Sequence, residues 1–496
     1  MTLSPPQRAD DRLNIVLLMT DQHRPDCVSF LPGSRVDTPH LDELAGSVAF
    51  AHCVTPNPIC TPARCALLTG RYTRQVGMLD MSGDLDPQVP TYPRALQRAG
   101  YRTIGIGKFH WWQGWPWGTP AGRGHDLVAA DEITRRYGWD EVWEVAGKQL
   151  ACQNDCRYIE HLRGKGLAEA YRQFVSRCGP NNDDAAKCAH DSAPWPFDEA
   201  DHVDVVTGDR IVHAIDTVAT DRPFMLFGSF CSPHPPFDPP QRYLDMIPEQ
   251  HDDDFVPGAG GTLVPDVRRR MLRIRRAYLA LVRLVDDQVG RVLDALRHRG
   301  LLERTVVLFC SDHGEMLGDH GRVQKATWQD ASAHVPAAIR HPHHLQRRVC
   351  EAPVELTDLT ATMLDIAGLD PAAALSRRWP GFNAAIPGRS LLPVVRGEAA
   401  GVRDCAWSEC RGQWQMVRSP RYTYVRMLNY AEPGGAPELL FDRDADPHER
   451  RDLVGDPAHA AALQWHRDRR DFIVDHYHPA QLRWAPSRDD DAPTQP

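Results

Sequence analysis

Four short apolar runs are the feature that most limits how this 496-residue chain can fold. They read NIVLLM (14–19), TIGIG (103–107), FMLFGSF (224–230) and TVVLFC (305–310). Continuous apolar runs of this length are typical of strands that are buried on both faces of a parallel sheet. Helical patterns lie between them, and the longest covers residues 275–300. The alternation predicts an α/β domain with a large mixed, mostly parallel sheet flanked by helices.

Polar residues follow each of these four runs. In chain order they are Asp21 and Gln22, Lys108 and His110, His234, and Asp312 and His313. Ligands of open α/β sheets bind beyond the carboxyl ends of the strands, so these side chains are expected to converge there. Strand ends are also polar simply because they meet solvent, and that explanation suffices for any single strand. Carboxylates, imidazoles and an ammonium group at one sheet edge indicate a metal-centred anion site.

The composition limits which binding partners and which cellular compartment are expected. The net charge of -9 leaves no basic footprint, so nucleic acid is not expected as a partner. No stretch approaches the roughly 20 apolar residues of a membrane span, and the N-terminus lacks a signal-peptide pattern. The 13 cysteines are scattered without zinc-site spacing or a Cys-x-x-Cys pair, which argues against a thiol redox protein. We expect reduced cysteines and a cytoplasmic protein, which could form a homo-oligomer.

Two regions depart from the α/β pattern. Residues 111–200 lack regular periodicity and are predicted to be a variable loop insertion that shapes a pocket. The insertion begins with four clustered tryptophans that form either a pocket wall or part of the core: Trp111, Trp112, Trp115 and Trp117.

The C-terminal region reads as a small, separate α+β domain. Residues 405–428 predict two antiparallel strands joined at Ser419 and Pro420, and a further strand follows in ELLFD. We therefore predict a catalytic domain over 10–400, a small domain with an antiparallel sheet over 401–483, and a disordered tail over 484–496.

The segment CTPARCALLTGRY (60–72) resembles the signature of the formylglycine-dependent sulfatases, in which Cys-x-Pro-x-Arg precedes Leu-Thr-Gly. The resemblance continues in chain order through MTDQ, GIGKFHW, SPHPPF, LVDDQVGRVLDAL, SDHGEMLGDHG, Lys325 and ELLFDRDADPHERRDL. It spans residues 14 to 454 and implies an alkaline-phosphatase-like fold.

The resemblance implies that a formylglycine-generating enzyme oxidises Cys60 to an aldehyde. One hydroxyl of the hydrated aldehyde, bound to a metal, would attack sulfur, form a covalent sulfo-enzyme intermediate and expel the alcohol. The second hydroxyl would then lose its proton and eject sulfate. A thiol has no second hydroxyl, so it cannot perform this last step.

The resemblance also implies a role for each matching position. The divalent metal ion would be held by residue 60 together with Asp21, Gln22, Asp312 and His313. Arg64 would orient the hydrate, and Lys108 and Lys325 would clamp the sulfate oxygens. His110 would be the base for the second hydroxyl, and His234, shared with Lys325, would donate to the leaving oxygen.

Two departures from the common family pattern leave alternatives open. The common pocket offers only oxygen ligands, which suits Ca²⁺, whereas Gln22 and His313 tilt this site towards a transition metal such as Mn²⁺. The pairs Asp21-Gln22 and Asp312-His313 resemble those of the sulfatase branch that contains phosphonate monoester hydrolases and choline sulfatases. A phosphonate monoester or phosphodiester is therefore an alternative to a small sulfate ester as substrate. A non-catalytic binding protein that retains the Cys60 thiol is a further alternative.

Overall fold

The computed structural model describes residues 12–81, 83–112, 126–177, 191–251, 255–258, 263–376, 383, 385–428 and 437–479. The strands are β1 (Asn14–Asp21), β2 (Val48–Phe50), β3 (Cys53–Val54), β4 (Arg102–Lys108), β5 (Glu141–Val145), β6 (Phe224–Pro233), β7 (Thr305–Ser311), β8 (His334–Val335), β9 (Ala337–Arg340), β10 (Arg348–Cys350), β11 (Val354–Glu355), β12 (Ala406–Cys410), β13 (Trp414–Arg418), β14 (Tyr422–Met427) and β15 (Glu438–Asp442). The helices are α1 (Pro39–Leu44), α2 (Cys60–Thr69), α3 (Tyr92–Arg98), α4 (Asp131–Arg135), α5 (Arg157–Gly164), α6 (Ala168–Ser176), α7 (Val203–Thr217), α8 (Gln241–Met246), α9 (Pro265–His298), α10 (Asp330–Ala333), α11 (Leu356–Ile366), α12 (Pro371–Ala374), α13 (Leu392–Arg396) and α14 (Ala460–His476).

An eight-stranded sheet with the order β10-β2-β9-β7-β1-β6-β4-β5 organises the main part of the chain. The four predicted strands are its adjacent central members β7, β1, β6 and β4, and all four run parallel. Strand β9 is antiparallel to both of its neighbours, which makes the sheet mixed. The predicted fold class is confirmed.

Each face of the sheet is covered by helices. Along β1, Val16 and Leu18 belong to the core beneath α9, whereas Ile15, Leu17 and Met19 belong to the core that includes α2 and α11. This alternation places apolar side chains on both faces, and for this reason β1 reads as a continuous apolar run. Helix α9 begins ten residues before the predicted start at 275, because its apolar stripe begins at Val267.

The predicted loop insertion contains regular structure in its described part. Helices α4, α5 and α6 lie within it, and β5 pairs in parallel with β4 as the edge strand of the main sheet. Trp111 is a core residue, 2% exposed, and its ring stacks on Phe109 at 4.7 Å between centroids and on Trp139 at 5.6 Å. Trp115 and Trp117 lie outside the described residues.

The C-terminal region forms a four-stranded antiparallel sheet in the order β12-β13-β14-β15, with α14 packed against β13 and β14. The prediction of two strands within 405–428 was wrong, because a further turn at 411–413 divides the first of them into β12 and β13. The predicted turn at Ser419 and Pro420 is present between β13 and β14. The tail over 484–496 lies outside the described residues, and the domain limits remain predictions.

No disulfide joins two of the described cysteines, and only Cys152 among them is not buried. Cys65 packs in the core on α2, as expected of a small structural residue. Among the helices that the structure describes, none is both long enough and apolar enough to cross a bilayer.

Candidate active site

The carboxyl ends of β7, β1, β6 and β4 meet at one edge of the main sheet and bring the predicted site residues together. This close packing requires a glycine at position 107 of β4. Gly107 has φ +104°, and a Cβ there would lie 1.9 Å from the carbonyl oxygen of Ser229 on β6. The first residue of α2 is Cys60, so this side chain lies at a helix N-terminus, where backbone N–H groups favour anions.

Four buried side chains form a candidate metal site: Asp21, Cys60, Asp312 and His313. One ligand atom from each lies within 4.8 Å of all the others. His313 Nδ1 donates to the carbonyl of Gly314 at 2.9 Å, which leaves the Nε2 lone pair directed at Cys60 Sγ, 3.0 Å away. Two carboxylates, an imidazole nitrogen and residue 60 are a donor set that fits one divalent cation.

Arg64 and Lys108 supply positive charge beside this cluster. The Arg64 guanidinium donates to Asp21 Oδ2 at 3.0 Å and to Asp312 Oδ2 at 2.8 Å. Lys108 Nζ pairs with the same oxygen of Asp21. Burial alone would raise the pKa of Asp21, but Lys108, His234 and Arg64 hold it well below its usual range, so the carboxylate is ionised. Arg64 thus contacts both carboxylates of the candidate metal site directly.

Gln22 lies beside the metal cluster in a left-handed backbone conformation with φ 69°. Its Oε1 accepts a hydrogen bond from Lys325 Nζ at 2.5 Å, and its Nε2 donates to the buried carboxylate of Glu315. Glu315 also accepts from the backbone N–H of Leu317 at 3.0 Å. The amide therefore links Lys325 to Glu315, and its predicted role as a metal ligand remains a prediction.

A cavity of about 260 Å³ opens over the cluster. Five of the six predicted catalytic residues line it: Cys60, Lys108, His110, His234 and Lys325. Lys148 and Arg411 also line the wall, and each is paired with an aspartate, Asp238 and Asp80 respectively. No aspartate or glutamate is found among the described residues that line the cavity. The cavity is therefore suited to an anionic ligand.

The two histidines of the cavity differ in which ring nitrogen is hydrogen-bonded to a backbone carbonyl. His110 Nε2 donates to the carbonyl of Ala146 at 2.9 Å, and its buried Nδ1 has no hydrogen-bond partner. Burial, with Lys108 and Arg64, lowers the pKa of His110 well below its usual value, so Nδ1 is a free base. His234 Nδ1 bonds the carbonyl of Pro235 at 2.7 Å, which leaves Nε2 for another partner.

Sequence reasoning missed several residues that surround the site. Glu315 lies within the quoted segment SDHGEMLGDHG, so its position could have been noticed. Ser229, which accepts from Arg64 at 2.8 Å, lies inside an apolar strand and carries no such signal. Asp319 of the same segment pairs with Arg24 and Arg275, and is structural.

Comparison with known proteins identifies relatives over most of the chain. The family model described as Sulfatase matches residues 13–369. A choline-sulfatase of Rhizobium meliloti is 27% identical over 90% of this chain and 83% of its own length. An arylsulfatase of Clostridium perfringens is 25% identical over 92% of both chains.

Solved structures share the fold. A phosphonate monoester hydrolase of Agrobacterium radiobacter superposes with a TM-score of 0.75 at 23% identity, covering 94% of this chain and 96% of its own. A phosphonate monoester hydrolase from Silicibacter pomeroyi superposes with a TM-score of 0.73 at 24% identity, over 95% and 97%. The fold of this chain is thus shared with these two structures over nearly its whole length.

Proposed function

Because this chain belongs to the sulfatase family, we propose that it hydrolyses a small sulfate monoester after Cys60 has been converted to formylglycine. The observation that carries the proposal is the cavity in which five predicted catalytic side chains meet. Its described lining is cationic, and a buried set of metal-type ligands lies directly beneath it. A sulfate group with one negative charge is complementary to such a wall.

Residue 60, Asp21, Asp312 and His313 would hold a divalent cation. The imidazole among the ligands favours a transition metal such as Mn²⁺ over Ca²⁺. When bound, such a cation supplies Lewis acidity towards the oxygens of the transferred group. Formylglycine in its hydrated form would supply the attacking hydroxyl at position 60, and conversion requires a formylglycine-generating enzyme.

The cationic side chains bind and orient the sulfate group. Lys108 and Lys325 lie on the cavity wall, where their ammonium groups would neutralise charge that develops on the sulfate oxygens. Arg64 is buried beneath them and keeps the two carboxylates fixed, which limits reorganisation during the reaction.

The histidines divide the proton transfers between them. His110 has a free, buried Nδ1 and would accept the proton of the second hydroxyl. His234 would donate from Nε2 to the leaving oxygen. Burial and Lys325 lower the pKa of His234 in the free protein, and the negative charge of a bound ester would raise it again.

A phosphonate monoester or phosphodiester is the second candidate substrate. The specific observation in its favour is that His313 and Gln22 stand where the common family pattern has further oxygen ligands, as in the branch that the sequence resembles. Such esters are tetrahedral monoanions like a sulfate monoester, so they are equally complementary to the cationic cavity. A binding protein without turnover is the remaining candidate and requires that residue 60 stay a thiol.

The proposal is tested by comparing two esters with the same leaving group, 4-nitrophenyl sulfate and 4-nitrophenyl phenylphosphonate. The enzyme is treated with chelator and reloaded with Mn²⁺ or Ca²⁺. We expect a higher kcat/KM for the sulfate ester and loss of turnover in Cys60→Ala. A preference for the phosphonate would establish the second candidate. Protein from the native host that retains the Cys60 thiol and turns over neither ester would support the binding protein.

A further inference from the structure

The segment directly after β5 contacts two of the predicted catalytic residues, His110 and Lys108, and the loop that carries a third, His234. The carbonyl of Ala146 accepts the hydrogen bond from His110 Nε2 at 2.9 Å. Gly147 has φ +90°, and a Cβ there would lie 3.2 Å from Lys108 Cε and 3.5 Å from His110 Nε2. The next residue, Lys148, reaches the loop that carries the third catalytic group.

Lys148 holds the part of the loop that follows His234 in the chain. Its Nζ donates to Asp238 Oδ1 at 2.6 Å and to the carbonyl of Pro236 at 3.2 Å. The lysine side chain is 1% exposed and the aspartate side chain 2%. Pro236 and Asp238 follow His234 by two and four residues, so both bonds are made to the same short loop.

A second buried carboxylate holds the part of the loop that precedes His234. Asp204 Oδ1 accepts from the backbone N–H of Cys231 at 2.6 Å and of Ser232 at 3.2 Å. The ring of His202 lies between the two anchors, with Nε2 3.6 Å from Asp238 Oδ1 and Nδ1 3.7 Å from Asp204 Oδ2. The loop over 231–238 is thus fixed at both ends by buried polar groups.

Burial of these charges costs folding free energy, so the pair is a poor choice for stability alone. A buried ion pair is commonly no better for stability than apolar side chains of the same volume. Lys148 also faces the cavity, yet its ammonium group is already bonded to a carboxylate and a carbonyl. Its charge is therefore committed to the protein and not to a ligand.

We propose that Lys148 is a positioning residue: by bonding Pro236 and Asp238 it fixes the loop that carries His234 and so sets the orientation of this imidazole. The inference rests on the proposed role of His234 as the donor to the leaving oxygen. Correct placement of a proton donor matters most when the leaving oxygen is basic. Lys148 is accordingly required for esters of weakly acidic alcohols and dispensable for esters of acidic phenols.

The test is a leaving-group series of sulfate esters, from 4-nitrophenyl sulfate to phenyl sulfate and an alkyl sulfate. In Lys148→Met we expect kcat to fall about 10- to 100-fold for the alkyl ester, because a displacement near 1 Å can cost about 100-fold. For 4-nitrophenyl sulfate we expect a change below about threefold. Lys148→Arg, which can bond both acceptors, should recover most of the loss.

A double-variant comparison shows whether Lys148 acts through His234. In a His234→Ala background, Lys148→Met should cause no further loss with the alkyl ester, since coupled residues are non-additive. Because Lys148→Met leaves the Asp238 carboxylate without its lysine, Lys148→Met/Asp238→Asn is measured as well. Removal of both charges should restore the melting temperature but not the activity towards the alkyl ester.

Lys165→Met is the control for loss of a lysine–aspartate pair elsewhere in the chain, because Lys165 pairs with Asp201 at 2.5 Å and does not line the cavity. It should leave the leaving-group series unchanged. An equal loss for all esters in Lys148→Met, or a further loss in the His234→Ala background, would overturn this inference while the proposed function stands. A wild-type enzyme that hydrolyses no ester of the series would overturn both.

Discussion

Replacement of Arg64 by methionine is the perturbation that most directly measures how the metal-ligating carboxylates are held. The side chain is 1% exposed and makes hydrogen bonds of 2.6 to 3.0 Å to Asp21, Asp312, Ser229 and the carbonyl of Lys108. Methionine keeps the unbranched first part of the side chain and has no donor. The variant therefore removes every one of these bonds.

The expected destabilisation follows from the partners that remain. Asp21 keeps its ion pair with Lys108, and Asp312 keeps the backbone N–H groups of Gln22 at 3.0 Å and His313 at 2.9 Å. Loss of one partner of a buried ion pair costs about 3–5 kcal/mol. We expect Arg64→Met to lose about that much free energy of unfolding when the metal has been removed.

A divalent cation should compensate for part of this loss. It would replace the positive charge of Arg64 between Asp21 and Asp312, whereas in the wild type it competes with the guanidinium for the same oxygens. At a metal concentration of about 100 times Kd, binding stabilises the native state by about 2.7 kcal/mol. The stabilisation caused by metal should therefore be larger in Arg64→Met than in the wild type.

The assay is urea unfolding followed by tryptophan fluorescence, in EDTA and in saturating Mn²⁺. Arg71→Met is the control, because Arg71 is equally buried but donates to the carbonyls of Thr69 and Leu375. Its response to metal should match that of the wild type. If Arg64→Met unfolds within about 1 kcal/mol of the wild type in EDTA, or responds to metal no more than Arg71→Met, the reasoning is refuted.

Three further predictions concern other parts of the chain. Burial raises the pKa of Glu144 to about 8, although the hydrogen bond from Thr134 lowers it. The folded state therefore keeps this carboxyl protonated at pH values at which the unfolded chain has lost the proton. Stability should therefore fall between about pH 5 and 8 by up to about 1.4 kcal/mol per pH unit, and Glu144→Gln should remove this slope in urea titrations. Trp111→Ala should lower the free energy of unfolding by about 3–5 kcal/mol, because the ring is buried in an aromatic stack. An unchanged stability would contradict this core role and favour the alternative that Trp111 forms part of a pocket wall. Cys65→Ala should retain turnover of 4-nitrophenyl sulfate with a stability loss of about 1 kcal/mol, whereas Cys60→Ala should abolish turnover; equal activities would contradict the assignment.

The central strands could be predicted from sequence because both of their faces are buried. The edge strand β5 could not, since its sequence EVWEV combines an exposed Glu141 with a buried Glu144 and resembles a polar loop. The turn between β12 and β13 has positive φ at Arg411 and Gly412, and only the glycine gives a sequence signal for it.

The residues of the candidate site also divide into those that the sequence indicates and those that it does not. Asp21, Asp312 and His313 could be located because strand ends at one edge of a parallel sheet must converge. The bond between Lys148 and Asp238 joins residues 90 positions apart, and Lys148 lies in a segment without periodicity. Such a pair depends on how the insertion packs against the β6 loop, which is a tertiary property that no local pattern records.

The central claim is that residue 60 acts as formylglycine, and one peptide tests it directly. Trypsin releases residues 36–64, which contain Cys53 and Cys60 and no internal lysine or arginine. After reduction and alkylation of protein from its native host, the account predicts one alkylated cysteine, Cys53, and an oxygen in place of the sulfur and two hydrogens at position 60. A peptide with both cysteines alkylated, from protein that still hydrolyses sulfate esters, would contradict it.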